Sequence, residues 1–257
     1  MNIVLHMNRI LSFFCIAFLL SASINLTTAS LVSAEAAAQN LVVVELFTSQ
    51  GCNSCPPADD LLAELSQQEN ILALSYNVDY WNYLGWKDTF AQPASTARQR
   101  KYNRSLGKSG VYTPQMVIQG RHDAVGSKAD LVRKLIEQAE SANKLPSAPD
   151  ITFDDTDSMM SLTIGAHIKA PSPAATIWII GYDYARTVDI KRGELGGQVR
   201  TYHNVVRAIK RIGSWMGEDI KLTLSAKDIG REKYGAYAVL LQADAHGPII
   251  AAAKLTP

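Results

Sequence analysis

Cys52 and Cys55 are the residues of this chain whose type and spacing could most directly do chemistry. A Cys-x-x-Cys pair serves redox centres, zinc sites and haem attachment alike, so its surroundings must discriminate. Haem attachment needs a histidine directly after the second cysteine, and Pro56 stands there. A structural zinc site wants four ligands, commonly two such pairs. Beyond residue 34 the chain offers one pair and the scattered His122, His167, His203 and His246. Placement favours redox chemistry. Cys52 follows the nearly continuous apolar run LVVVELF at 41–47, which reads as a strand buried on both faces. Cys55 falls where a helical pattern opens, with Leu61, Leu62 and Leu65 at helix spacing. A helix N-terminus presents free N–H groups and about half a positive charge. Such sites can bring a cysteine pKa from ~8.5 into the range of roughly 3.5–7.5. Cys52 is then the exposed attacking thiolate, and Cys55, one helical turn on, resolves the mixed disulfide.

Glu45 is the second residue of interest, a charge amid Val42, Val43, Val44, Leu46 and Phe47. Burying it is costly unless it is neutralised or paired. Desolvation would raise its pKa toward the range useful to a general base; the other reading is an edge glutamate facing solvent. Tyr80, Trp81, Tyr83, Trp86 and Phe90 form a dense aromatic segment. Either these rings pack a small core of their own, or they line a groove beside Cys52 with Trp81 and Trp86 as substrate-binding anchors. The basic run Arg98, Arg100, Lys101, Arg104 and Lys108 beyond them reads as a solvated face.

Around these residues the chain alternates strands and helices. ILALSYNV at 71–78 is a second strand, a helix spans about 94–106, and QMVIQ at 115–119 is a third strand. Gly120 and Arg121 turn the chain into His122–Val125, and Ser127 can cap a helix at 128–143. That order predicts an α/β layer domain over 35–146. The texture changes after Pro146-Ser147-Ala148-Pro149. Strand-like runs then follow at 159–168, 174–184, 199–209, 219–225, 234–243 and 248–254. They predict a smaller, mostly antiparallel β-sandwich-like domain over 147–257.

Residues 1–34 read as a secretory signal peptide: Arg9, then the apolar run ILSFFCIAFLL, then the small residues Val32-Ser33-Ala34. The run is shorter than the roughly 20 residues that span a bilayer. Cleavage after Ala34 removes Cys15 and Arg9, leaving 24 bases against 24 acids and two cysteines. A neutral chain has no electrostatic reason to bind nucleic acid or an anionic membrane. A periplasmic or secreted setting also lets the remaining thiols be oxidised.

At this point the sequence resembles the thioredoxin-like superfamily over roughly 41–143. The resemblance rests on the strand VVVELF, the CNSC pair opening a helix, the strand ILALSYNV, Thr113-Pro114 before QMVIQ, and a closing helix. It implies that Pro114 is a cis-proline facing the cysteines and that the Thr113 backbone pairs with an extended substrate. It also implies that Glu45 matches the buried acid that shuttles the proton of the second cysteine. Two departures stand out: one extra residue separates acid from first cysteine, and Gly51 replaces the tryptophan that often precedes it. Over the whole chain the strings VELFTSQGCNSCPPAD, VDYWNYLGWKDTFA, VYTPQMVI and TYHNVV resemble a narrower group. This is a family of predicted secreted bacterial proteins catalogued as domain of unknown function 1223.

Three functions stay open on these residues. A thiol–disulfide oxidoreductase would act on protein or small-molecule thiols and disulfides without a cofactor. A copper-binding protein would use the two thiolates and a nearby histidine, for which the α/β half offers His122 alone. An interaction module would keep Cys52–Cys55 as an inert disulfide.

Overall fold

The computed structural model describes residues 41–143, 148–155, 159–167, 174–230 and 233–255. The expected signal peptide lies outside the described residues.

The apolar run forms β1 (Val42–Thr48), every residue of it buried. It pairs in parallel with β2 (Ile71–Asn77) and antiparallel with β3 (Gln115–Ile118), which pairs antiparallel with β4 (His122–Val125). Helix α1 (Pro56–Leu65) connects β1 to β2, α2 (Pro93–Ser105) precedes β3, and α3 (Ala129–Asn143) follows β4. Alternation along β1 divides the core between two faces. Val42, Val44 and Leu46 pack against Leu61, Leu62 and Leu65 of α1 and Val132 and Ile136 of α3. Val43 and Phe47 join Leu74, Tyr76 and Tyr102 of α2 on the other face.

The second half adds β5 (Ile151–Asp155), β6 (Met159–Ile164), β7 (Ala175–Ile190), β8 (Gln198–Trp215) and β9 (Ile220–Ser225). A short α4 (Ala226–Ile229), β10 (Ala236–Gln242) and β11 (Ile249–Leu255) complete it. A three-stranded antiparallel sheet, β5-β6-β9, covers Ile177 and Ile179 of β7 and Val239 and Leu241 of β10 through Phe153, Leu162 and Ile164. That is one layer of the expected sandwich.

The other layer is not a separate sheet. β7, β8, β10 and β11 continue the first sheet in the order β11-β10-β7-β8-β2-β1-β3-β4. Strands from both expected domains, 35–146 and 147–257, therefore share one mixed sheet, joined where β8 pairs with β2 at Ser75 and Val205. β2 supplies the physical reason: ILALSYN is buried throughout, so its outer edge needs a partner for its backbone groups. The joint is close elsewhere too. Gly120 has φ +61, and a Cβ on it would stand 2.6 Å from the Gly247 carbonyl oxygen. Only glycine satisfies both constraints at that turn.

Candidate functional site

The pair sits where β1 ends and α1 begins. Cys52 N–H donates to the Ser49 carbonyl at 3.1 Å, and Cys55 N–H donates to the Cys52 carbonyl at 3.2 Å, closing a tight turn. Cys55 has φ −79 and ψ −33, already helical, and Pro56 and Pro57 follow it into α1. Proline suits a first helical turn, where its missing N–H would be unpaired anyway. Cys52 and Cys55 are joined by a disulfide, with Cα atoms 5.5 Å apart.

Two expectations about this pair change. Neither sulfur is openly exposed: Cys52 keeps 2% exposure and Cys55 none. The helix start also offers fewer free N–H groups than expected. Pro56 and Pro57 have none, and Ala58 and Asp59 donate theirs to the Cys55 carbonyl. Hydroxyls take their place. Thr113 Oγ1 donates to Cys52 Sγ at 3.3 Å, and Ser54 Oγ lies 3.4 Å from the same sulfur. The Thr113–Pro114 bond is cis, and Pro114 is buried.

Trp81 and Trp86 are half-buried, each with its indole N–H turned inward. Trp81 Nε1 donates to Thr113 Oγ1 at 2.8 Å, so the threonine accepts from Trp81 while donating to Cys52. Trp86 Nε1 donates to Gln50 Oε1 at 2.9 Å. Trp81 also explains Gly51, since a Cβ there would stand 3.3 Å from Trp81 Cβ and 3.4 Å from its carbonyl oxygen. The aromatic segment is pinned by Asp88, which accepts from the N–H groups of Gln50, Phe90 and Ala91 and from Asn77 Nδ2. Tyr83 alone among the large rings of this segment stands well out in solvent.

Glu45 is buried, as expected of a proton-handling acid, but it serves different partners. Alternation places it with Val43 and Phe47, on the side of β1 turned away from α1. Arg98 of α2 donates to it twice, from Nε at 2.7 Å and Nη2 at 3.1 Å, and Tyr102 donates its hydroxyl to Oε2. Arg98, assigned by sequence to a solvated face, lies between the rings of Tyr76, Tyr102 and Trp178 at 5.0–5.7 Å. The expectation that Glu45 faces Cys55 gives way to a bidentate buried ion pair.

The acid on the cysteine side of the sheet is Asp59. It lies four residues after Cys55 on one helical face, where Cβ atoms are about 5–6 Å apart. Its N–H donates to the Cys55 carbonyl at 3.1 Å. Thr48 Oγ1 donates to Asp59 Oδ1 at 2.8 Å, while Oδ2 has no hydrogen-bond partner among the described residues. Burial raises the Asp59 pKa to about 8, against the lowering pull of the Thr48 hydrogen bond and of Arg200. At neutral pH this carboxyl holds its proton. Its spacing from Cys55 was available in the sequence, but its burial was not.

The second half reaches the same place, which nothing in its sequence suggested. Glu194, between β7 and β8, accepts from Asn53 N–H at 3.2 Å. Arg200 of β8 donates to the Pro56 carbonyl at 3.3 Å and to Asp60 at 2.8 Å. Phe90 packs edge-on against Tyr202 of β8, with centroids 5.9 Å apart. His122 lies exposed on β4, and among the described residues no three His, Cys, Asp or Glu side chains are grouped to hold a metal ion.

Comparison with known proteins adds a family and a fold. The model of a family described as "Protein of unknown function (DUF1223)" matches residues 43–242. The crystal structure of protein AGR_C_4864 from Agrobacterium tumefaciens is 34% identical, with a TM-score of 0.73, covering 85% of this chain and 95% of that one. HBP35 of Porphyromonas gingivalis is alike in fold alone: 14% identity and a TM-score of 0.58, over 85% of this chain and 76% of that one. No curated protein matches.

Proposed function

The chain belongs to the DUF1223 family of proteins of unknown function, and from that premise we propose that it is a thioredoxin-like thiol–disulfide oxidoreductase. One observation carries the reading: the Cys52–Cys55 disulfide opens α1 with a hydroxyl donor on Cys52 and a buried acid one turn beyond Cys55. The thioredoxin-like part is supported by the order β1-α1-β2-α2-β3-β4-α3. The extracytoplasmic setting is supported by the signal-peptide character of residues 1–34.

In the proposed exchange a substrate thiolate attacks Cys52 Sγ, forming a mixed disulfide and breaking the Cys52–Cys55 bond. Cys55 leaves as a thiolate and takes the proton that Asp59 carries at neutral pH. A second substrate thiolate then attacks the substrate sulfur, releasing the substrate disulfide and Cys52 as a thiolate. The two electrons taken from the substrate stay on the cysteine pair. In the reverse direction Asp59, ionised, accepts the Cys55 proton as Cys55 attacks the mixed disulfide.

Equilibration in thiol–disulfide buffers tests the reading. A working pair should have a potential above about −300 mV, whereas a structural disulfide lies below it. A Cys55→Ala variant should also accumulate mixed disulfides through Cys52. A potential below that limit, with no trapped partner, would establish the inert interaction module instead.

Thr113 gives a second test. A hydrogen bond to a charged group is worth about 1.5–3 kcal/mol, which corresponds to roughly one to two in pKa. Thr113→Val should therefore raise the Cys52 thiol pKa by that amount, read from alkylation rate against pH in the reduced protein. An unchanged pKa would assign the thiolate to Ser54 or to solvent.

A further inference from the structure

A cavity of about 480 Å³ lies between the last turn of α2, strands β7 and β8, and the turn Asp244–His246. It falls within the size range of small-molecule sites. Three cations border it: Lys101 and Arg104 from α2 and Arg211 from β8. None of the three is in an ion pair among the described residues. The macrodipole accounts for basic residues in the last turn of α2, at about 0.3–1 kcal/mol each. It does not account for Arg211, which comes from a strand more than a hundred residues later.

Trp178 and His246 supply two rings to the remaining wall, beside Ser105, Thr176, Ala243 and Asp244. The His246 ring packs on Trp178 with centroids 5.4 Å apart and edge-on to Tyr102 at 5.9 Å. Ser105 Oγ fixes this turn to α2 by donating to the His246 carbonyl at 2.9 Å. His246 is itself a probe of the local field. Burial, then Arg98, Lys101 and Arg104, hold its pKa down at about 3, with Asp244 opposing them. Arg98 is matched by Glu45, but the cations on the cavity are not matched. The imidazole is neutral at pH 7, so three cations face one acid, Asp244, and two positive charges remain.

We propose that this cavity binds a small dianion, a phosphate monoester or a dicarboxylate, carried on a flat apolar group. Lys101, Arg104 and Arg211 hold the anion, and Trp178 and His246 take the flat part. Guanidinium groups suit such ligands because their donors match carboxylate and phosphate oxygens in pairs. The site draws on both halves of the chain and uses neither cysteine, so it does not rest on the redox reading.

Calorimetric titration of the purified protein at low ionic strength tests the proposal, with phenyl phosphate and phthalate as probes. At least one should bind saturably at one site, and the tighter of the two identifies the anion. Arg104→Gln and Arg211→Gln, both at exposed positions, should each weaken it about tenfold, or about 1.4 kcal/mol, with melting temperature unchanged. A protein with Cys52→Ser and Cys55→Ser should bind as the wild type does, which separates this site from the thiol chemistry. Absence of saturable binding to either probe, or equal binding by both arginine variants, would overturn it.

Discussion

Arg98→Met is expected to cost the folded protein about 3–5 kcal/mol, the loss typical of removing one partner from a buried ion pair. Both charged side chains are almost wholly enclosed, 2% and 1% exposed. Methionine keeps the apolar stem among Tyr76, Tyr102 and Trp178 but leaves the Glu45 carboxylate without its cation. For a chain of this size the melting temperature should fall by roughly 10 °C. Adding Glu45→Leu removes the stranded charge, and the double variant should recover most of the loss. This pair of variants also separates two roles for Glu45. As half of a structural ion pair, it can be replaced together with Arg98 while disulfide exchange proceeds. If the double variant is stable but resolves mixed disulfides slowly, Glu45 is the proton carrier after all. A loss below about 1 kcal/mol in the single variant would show that water or a proton replaces Arg98 at little cost.

Asp59→Asn should stabilise the protein above pH 8 by several kcal/mol while slowing exchange at Cys55. An unfolded aspartate ionises near 3.9, whereas burial holds Asp59 at about 8 in the folded chain. Below pH 4 both states are protonated and the stability associated with this group is fully present. Between about 4 and 8 the folded state binds the extra proton, so stability falls as pH rises, at up to 1.36 kcal/mol per pH unit. Above about 8 both states are ionised and the loss levels off at about 6 kcal/mol. Asparagine has no such proton to release. The difference between the denaturation curves of the two proteins, measured from pH 4 to 9, isolates this group, because His246 and the other titrating residues are common to both. Parallel curves would mean that Asp59 ionises in the folded chain as it does in water. In the exchange reaction the same variant should slow the mixed-disulfide step about tenfold, equivalent to about 1.4 kcal/mol of barrier.

Much of this site is legible in sequence because it is local. The spacing of Cys52 and Cys55, the strand before them and the helix after them all follow from neighbours within twenty residues. Short-range alternation marks the strands of the second half, though β7 and β8 run longer than their alternating runs and β5 carries too little of that signal. ITFDD is brief and ends in two acids, so its apolar positions were too few to register a period.

What the sequence could not contain is which face each side chain turns to and which distant segment meets it. Glu45 and Asp59 are both acids beside apolar neighbours, and nothing local tells which is paired. Strand alternation sends Glu45 toward α2, where Arg98 neutralises it, and helix periodicity keeps Asp59 one turn from Cys55, in no ion pair among the described residues. The same carboxyl chemistry therefore yields a structural ion pair in one place and a buried carboxyl with a raised pKa in the other. The meeting of the two halves was equally hidden, because a sheet edge accepts whichever strand the fold delivers. That delivery brings Arg200 and Glu194 to the cysteine loop and Arg211 to the end of α2. The amino-acid order determined the Cys52–Cys55 pair; tertiary packing decided which charged and polar groups surround it, because desolvation and charge pairing depend on neighbours in space rather than along the chain.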